Sequence, residues 1–143
     1  MKPVSELLKK RDDGTLWHVR PDDTVYEALE ALAGYEAGAL MVMDQGRLVG
    51  VFSERDYTRK IALQGRNSRT AQVRDIMTSQ VITVGPKTGT RECMALMSEK
   101  RIRHLPVLDG NVVLGMISIR DLMDDIIEEH ENTIAHLESY IQS

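Results

Sequence analysis

The chain has 143 residues, 42% of them hydrophobic and 4% aromatic, and a net charge of −4 at pH 7. That is enough for one compact domain or for two small halves sharing a core. The acidic balance argues against a nucleic-acid surface as the main role. No stretch approaches the roughly 20 apolar residues that a membrane span needs, and a single cysteine, Cys93, excludes an internal disulfide.

In chain order, residues 3–10 read as a short helix with Val4, Leu7 and Leu8 as its apolar stripe. The charges at Glu6, Lys9, Lys10 and Arg11 do not fit a secretory signal. With the lone thiol they point to a reducing compartment, and a cytoplasmic protein is expected. Asp12-Asp13-Gly14 is a turn, and residues 15–19 form a strand stopped by Arg20-Pro21. Thr24 with Glu27 three residues on is a capping box. It opens a helix whose core stripe is Val25, Ala28, Leu29 and Leu32 and whose end is framed by Gly34 and Gly38. Residues 39–43 and 48–52 are strands around a turn, and a helix follows from about 54 to 64.

The polar stretch 64–70 reads as a linker with solvated Arg66 and Arg69. Then come a short helix at 73–77, a strand at 81–84 ended by Gly85-Pro86, and a helix at 89–100. In that helix Cys93 lies on the apolar face and reads as core rather than nucleophile. Met94, Met97, Met116 and Met123 read as adaptable core. Strands 105–108 and 112–117 flank Asp109-Gly110-Asn111, a hairpin signal. The last helix runs from Asp121 to about Ile141. Its Ile127, His130, Ile134, Leu137 and Ile141 have coiled-coil seam spacing, so a dimer contact is expected.

The chain repeats itself. Gly50-Val51-Phe52-Ser53-Glu54-Arg55-Asp56 returns as Gly115-Met116-Ile117-Ser118-Ile119-Arg120-Asp121, 65 residues later, and the same offset pairs Pro21 with Pro86, Val42 with Val107 and Asp44 with Asp109. Each copy reads β-α-β-β-α. The expected fold class is α/β (α+β): two tandem repeats packed sheet against sheet about a pseudo-twofold axis, with a long C-terminal helix. The division is residues 1–14 helix and turn, 15–64 first repeat, 65–72 linker, 73–127 second repeat and 128–143 C-terminal extension.

In both copies Ser-x-x-Asp stands where a strand gives way to a helix. Free backbone amides there favour an anion, a Ser hydroxyl can donate to a phosphate, and the carboxylate can accept from ribose hydroxyls. The same four residues are also a capping box, and one Asp can serve both purposes. Arg55, Arg59, Lys60 and Arg120 are candidates for phosphate-binding charge. No Gly-rich phosphate loop, nucleophile–base pair or metal-ligand spacing is present, so no catalysis and no catalytic cofactor are expected.

Ser53-Glu54-Arg55-Asp56 and Ser118-Ile119-Arg120-Asp121, together with Arg103-His104-Leu105-Pro106-Val107-Leu108-Asp109 and Asp75-Ile76-Met77-Thr78, resemble cystathionine-β-synthase (CBS) domains. The pair resembles a free-standing Bateman module, over roughly residues 15–127. The resemblance implies two clefts between the copies. In one, Ser118 and Asp121 match ribose and phosphate contacts; in the other, Ser53 and Asp56 do. Thr83 and Val84 match a segment whose backbone meets an adenine edge, and Arg103, His104, Leu105 and Pro106 match the lining of the base pocket. In the first copy Ala39 stands in place of His104 and Met41 in place of Pro106, so the pockets differ and the second copy's is preferred. The resemblance further implies a regulatory module and homodimer that senses an adenine nucleotide for an unknown partner protein. AMP comes first, then NAD(H), ATP or ADP, with S-adenosylmethionine less favoured. The alternative is a structural or protein-interaction module with empty clefts.

Overall fold

Each half of the molecule carries the other half's leading helix. The structure, a computed structural model, describes residues 2–10 and 17–142. The elements are α1 (Val4–Lys10), β1 (His18–Val19), α2 (Val25–Tyr35), β2 (Ala39–Asp44), β3 (Arg47–Ser53), α3 (Glu54–Tyr57), α4 (Val73–Ile76), α5 (Thr90–Lys100), β4 (His104–Asp109), β5 (Val112–Ser118) and α6 (Ile119–Gln142). The expected turn at Asp12-Asp13-Gly14 lies outside the described residues.

The first half is a sheet in which β1 runs parallel to β2 and β2 antiparallel to β3. Its core joins Val25, Ala28 and Leu32 of α2 to Leu40, Val42 and Phe52, and closes on Val73 and Ile76 of α4. The second half is the β4–β5 hairpin with α5 and the start of α6. Its core joins Cys93, Met97, Leu105, Ile117 and Leu122 to Val4 and Leu7 of α1. So α4 precedes the second copy in sequence but packs into the first, and α1 does the reverse. Matching bridges anchor the exchange: Thr24 with Gln72, and Pro3 with Gly89. A third apolar cluster, Ala39, Met41 and Met116 with Val51 and Val113 against it, is the seam where the two hairpins meet. The expected sheet-on-sheet packing is present.

The two hairpins share their register to the residue. Ala39 pairs with Ser53 as His104 does with Ser118, and both carry a bulge, after Val42 and after Val107. Two glycines seat the exchanged helices. A Cβ on Gly50 would lie 2.6 Å from Met77 Sδ and 3.0 Å from the Thr78 carbonyl; one on Gly115 would lie 2.9 Å from a Leu8 methyl. The Gly that opens each repeated motif is therefore a docking seat for the partner half's helix.

Five expectations are corrected. Residues 81–84 form no strand; Val84 alone bridges Val107. In the first half the Met41 amide donates to the Trp17 carbonyl at 3.1 Å. Pro106 stands at the matching position and has no N–H to give. The helix after Ser53 is α-helical for one turn, then π-helical over Thr58–Ala62. The cap of α2 is not a glycine but Glu36, held left-handed at φ 54°. Met123 is exposed, whereas Met97 and Met116 are core as expected. The linker is not free: Tyr26 N donates to the Ser68 carbonyl at 2.9 Å, and the Arg69 guanidinium sits over the Tyr26 ring, 4.1 Å from its centroid.

Gly50→Ala is expected to destabilise the fold by about 1–3 kcal/mol through overpacking against α4. Gly34→Ala, whose Cβ meets nothing within 4 Å in α2, is expected to gain up to about 1 kcal/mol. Thermal and urea unfolding of the two variants beside the parent checks both signs.

Candidate functional site

A cleft of about 280 Å³ opens between the halves, beneath the end of β3. The first copy contributes Gly38, Ala39, Val51, Ser53, Arg55 and Asp56; the second contributes Val81, Ile82, Arg103, His104 and Pro106; Thr78 and Gln80 close the side. Its volume is near the small end of the roughly 300–1,000 Å³ usual for ligand sites.

Ser53 ends β3 in an extended conformation and caps α3. Its hydroxyl accepts from the Asp56 amide at 3.2 Å. The Asp56 carboxylate in return accepts from the Ser53 amide at 3.0 Å and the Ser53 hydroxyl at 3.1 Å, all on Oδ2. Its other oxygen accepts from the Thr78 hydroxyl at 3.2 Å and pairs with Lys60 Nζ at 3.1 Å. Asp56 is only 7% exposed, and these four contacts are what let a carboxylate sit there. Lys60 also donates to the Ile76 carbonyl at 2.8 Å, so one ammonium ties Asp56 to the C-terminus of the exchanged helix. The π turn carries that lysine, in keeping with the frequent placing of such turns at functional sites.

Across the cleft Val81, Ile82 and Pro106 give an apolar floor. Gly38 lets the His104 ring close on it, since a Cβ there would lie 3.3 Å from His104 Cε1. Arg55 reaches over the mouth and donates to the Arg101 carbonyl at 3.1 Å, joining the halves.

A family model described as the CBS domain matches residues 13–63 and 73–128. The chain belongs to the CBS-domain family. CBSX3 of Arabidopsis thaliana, a CBS-domain protein whose name marks it as mitochondrial, is 40% identical over 97% of this chain and 71% of its own length. A CBS-domain protein from Burkholderia ambifaria has the same fold at a TM-score of 0.86 and 45% identity, over 89% of this chain and 95% of that one. Inosine-5'-monophosphate dehydrogenase of Methanocaldococcus jannaschii is 31% identical over 82% of this chain, which spans 24% of that enzyme. CBS-domain proteins of this kind are regulatory modules rather than catalysts.

The CBS pair crosses its site residues between copies. Ser53 and Asp56 of the first repeat share one cleft with Arg103, His104 and Pro106 of the second, as well as with Gly38 and Ala39 of their own copy. The preferred grouping of Ser118 and Asp121 with Arg103 to Pro106 is not what this cleft contains. Ser118 and Asp121 form the same capping box elsewhere, with the Ser118 amide 2.8 Å and hydroxyl 3.0 Å from Asp121 Oδ2. By the 65-residue offset, the counterparts of Val81 and Ile82 in the first repeat are Leu16 and Trp17, and Leu16 lies outside the described residues.

Thr83 is exposed and off the cleft, Val84 is in the core, and Leu105 is buried behind Pro106. Arg59 and Arg120 are exposed and off this cleft, and Lys60 is engaged by Asp56. Cleft residues missed include Thr78, Val81 and Ile82. The signal for Thr78 was the Asp75-Ile76-Met77-Thr78 motif, which helps to mark the family; Val81 and Ile82 stand two residues before the expected Thr83 and Val84. Cys93 is buried; desolvation first, and then the nearby Glu92, push its thiol up to about 11, as befits an inert core residue.

Asp56→Ala is expected to cost about 1–3 kcal/mol, because it strips a cap and leaves buried donors unpaired. Arg59→Ala is expected to stay within about 0.5 kcal/mol of the parent. Denaturant unfolding of the two variants reads the difference.

Proposed function

We propose that this CBS pair is a regulatory module that takes an adenine nucleotide, AMP ahead of NAD(H), ATP and ADP, in the cleft between Ser53 and Asp56 on one side and Arg103, His104 and Pro106 on the other. One observation carries the reading: the cleft sets a hydroxyl–carboxylate pair and two arginines against an apolar floor. Ribose hydroxyls donate to Asp56, the phosphate meets Arg55 and Arg103, and the base lies on Val81, Ile82 and Pro106. Arg55 and Arg103 supply the attraction for phosphate. The small volume favours a mononucleotide over a dinucleotide.

Binding carries its own signal. A ribose on Asp56 takes over the oxygen that Thr78 and Lys60 share, and both of those residues hold the end of α4. Ligand is thereby read as a change in how the exchanged helix is held, and passed to a partner protein outside this chain. The module works in the cytoplasm or, as the name of CBSX3 suggests, in mitochondria; among the described residues no helix is long and apolar enough to cross a membrane. One observation favours a second reading, an interaction module whose boxes only cap: both Asp56 oxygens are already engaged.

Thermal unfolding and calorimetry with AMP, ADP, ATP, NAD, NADH and S-adenosylmethionine, on protein freed of carried-over nucleotide, decide between them. AMP at a hundred times its Kd is expected to add about 2.7 kcal/mol. Ser53→Ala and Arg103→Ala are each expected to lose at least tenfold in affinity, and Ser118→Ala to lose none. A loss confined to Ser118→Ala moves the ligand to the second cleft. No shift with any compound sinks the nucleotide reading in favour of the interaction module.

A further inference from the structure

Helix α6 leaves its domain as it runs. Its first turns are anchored: Leu122 and Asp125 are buried, and Lys2 reaches Asp125 at 3.1 Å from the segment leading into α1. Glu129 is the last half-buried side chain. From His130 to Ser139 every side chain is exposed, and so is Ile141. Residues 130–142 thus carry roughly 20 Å of helix that the domain does not cover. A helix that short gains little stability from its own backbone in water, and covering one of its faces would hold it in shape.

Two rows of side chains run along this helix. The first is apolar: Met123, Ile127, Ile134, Leu137 and Ile141, each more than half exposed. With His130 they repeat at alternate steps of four and three, the a and d positions of a heptad. The second row is acidic. Asp124, Glu131 and Glu138, all exposed, recur every seven residues at position e, directly beside the stripe. Position g, on the other flank, holds Ile126 and Thr133. The stripe therefore has one acidic edge and one uncharged edge. It lies beside, not on, the anchored face of Leu122, Asp125 and Glu129.

Charge names what fits. The e and g residues of a paired helix set partner choice and orientation. Residues 121–142 carry seven carboxylates and no lysine or arginine, so the same segment of a second copy has no cation to offer. In an antiparallel self-pair carboxylate would meet carboxylate; in a parallel one the carboxylates would meet Ile126 and Thr133 and gain nothing. Anionic lipid and nucleic acid are repelled by the same row. The complement is a helix with its own apolar stripe and a Lys or Arg every seven residues on the edge that meets Asp124, Glu131 and Glu138. The long stems of those side chains also cover the rim of an apolar seam while their charged ends reach the carboxylates.

We propose that α6 is a docking surface for a different protein, which lays a basic amphipathic helix along the stripe from Met123 to Ile141 and pairs its cations with Asp124, Glu131 and Glu138. This surface uses no residue of the cleft beneath β3, and it takes its partner whether or not a nucleotide is bound. The Lys2–Asp125 pair ties the root of the docked helix to the segment leading into α1.

The probe is a fluorescently labelled peptide of residues 121–142 with all seven carboxylates replaced by lysine, beside the unaltered peptide. Anisotropy titrations use the full chain, with far-UV circular dichroism confirming that each variant is folded. The lysine peptide is expected to bind the parent at least tenfold more tightly than the unaltered one. Ile134→Asp adds a negative charge at an exposed position and is nonetheless expected to lose at least tenfold in affinity for the lysine peptide, because it breaks the stripe. The double variant Glu131→Lys with Glu138→Lys is expected to erase the preference for the lysine peptide. Four results would each overturn the proposal. No binding of the lysine peptide removes the basic partner, and equal or tighter binding of the unaltered peptide hands the face to a second copy. Undiminished binding by Ile134→Asp reduces the attraction to bare charge, and a preference kept by the double variant takes the acidic row out of recognition.

Discussion

The close approach of α4 to Gly50, and of α1 to Gly115, is the constraint on which the rest of the molecule hangs. At 2.6 and 2.9 Å from where a Cβ would stand, the Met77 sulfur and the Leu8 methyl occupy space that any other residue would fill. Because the glycines are bare, each short helix can lie on the other half's hairpin and complete its core. Neither half owns a full core without the loan: Val73 and Ile76 finish the first, Val4 and Leu7 the second. Halves of this size have little apolar surface to spare, so the exchange welds them into one cooperative unit.

The exchange also builds the cleft. Thr78 follows α4 and is bridged to Val51, with both amide–carbonyl bonds at 2.9 Å. That clamp brings the Thr78 hydroxyl to Asp56 and leads residues 80–82 along the floor beneath Arg103 and His104. Lys60 closes the circuit from Asp56 to the Ile76 carbonyl. The side chain best placed to read a sugar is therefore the one whose other contacts hold the exchanged helix. On the proposed reading, binding and structure are coupled through a single carboxylate.

Much of this was legible in the sequence, and the reason is local. Hairpins, caps and the Ser-x-x-Asp boxes are set by neighbours a few residues apart, and they obey the 65-residue offset with identical register. The leading helices were harder to place. Val4, Leu7 and Leu8 correspond to Val73, Ile76 and Met77 at an offset of 69, so the internal match breaks just where the exchange occurs. A helix of four residues carries too little periodicity to say which core it joins. The crossing of site residues between copies follows from that same long-range choice. The loss of the 81–84 strand turned on one missing N–H, at Pro106, a position read for its place in the pocket rather than for its hydrogen bonds.

The offset also explains why the two ends of the pair differ in charge. Lys60 and Asp125 occupy the same position in the two repeats. In the first repeat the lysine neutralises the box aspartate from its own helix. In the second that position is itself acidic, and its cation, Lys2, arrives on the segment exchanged from the other half. Asp125 is almost fully buried, so this ion pair is costly to break once formed. It pins the start of α6 to the chain's N-terminal segment, while the exposed seam further along stays free. A displacement of the leading helices is thus felt at the root of α6 through one buried contact. A helix held rigidly at its root and free along its outer half is suited to carry that displacement outward.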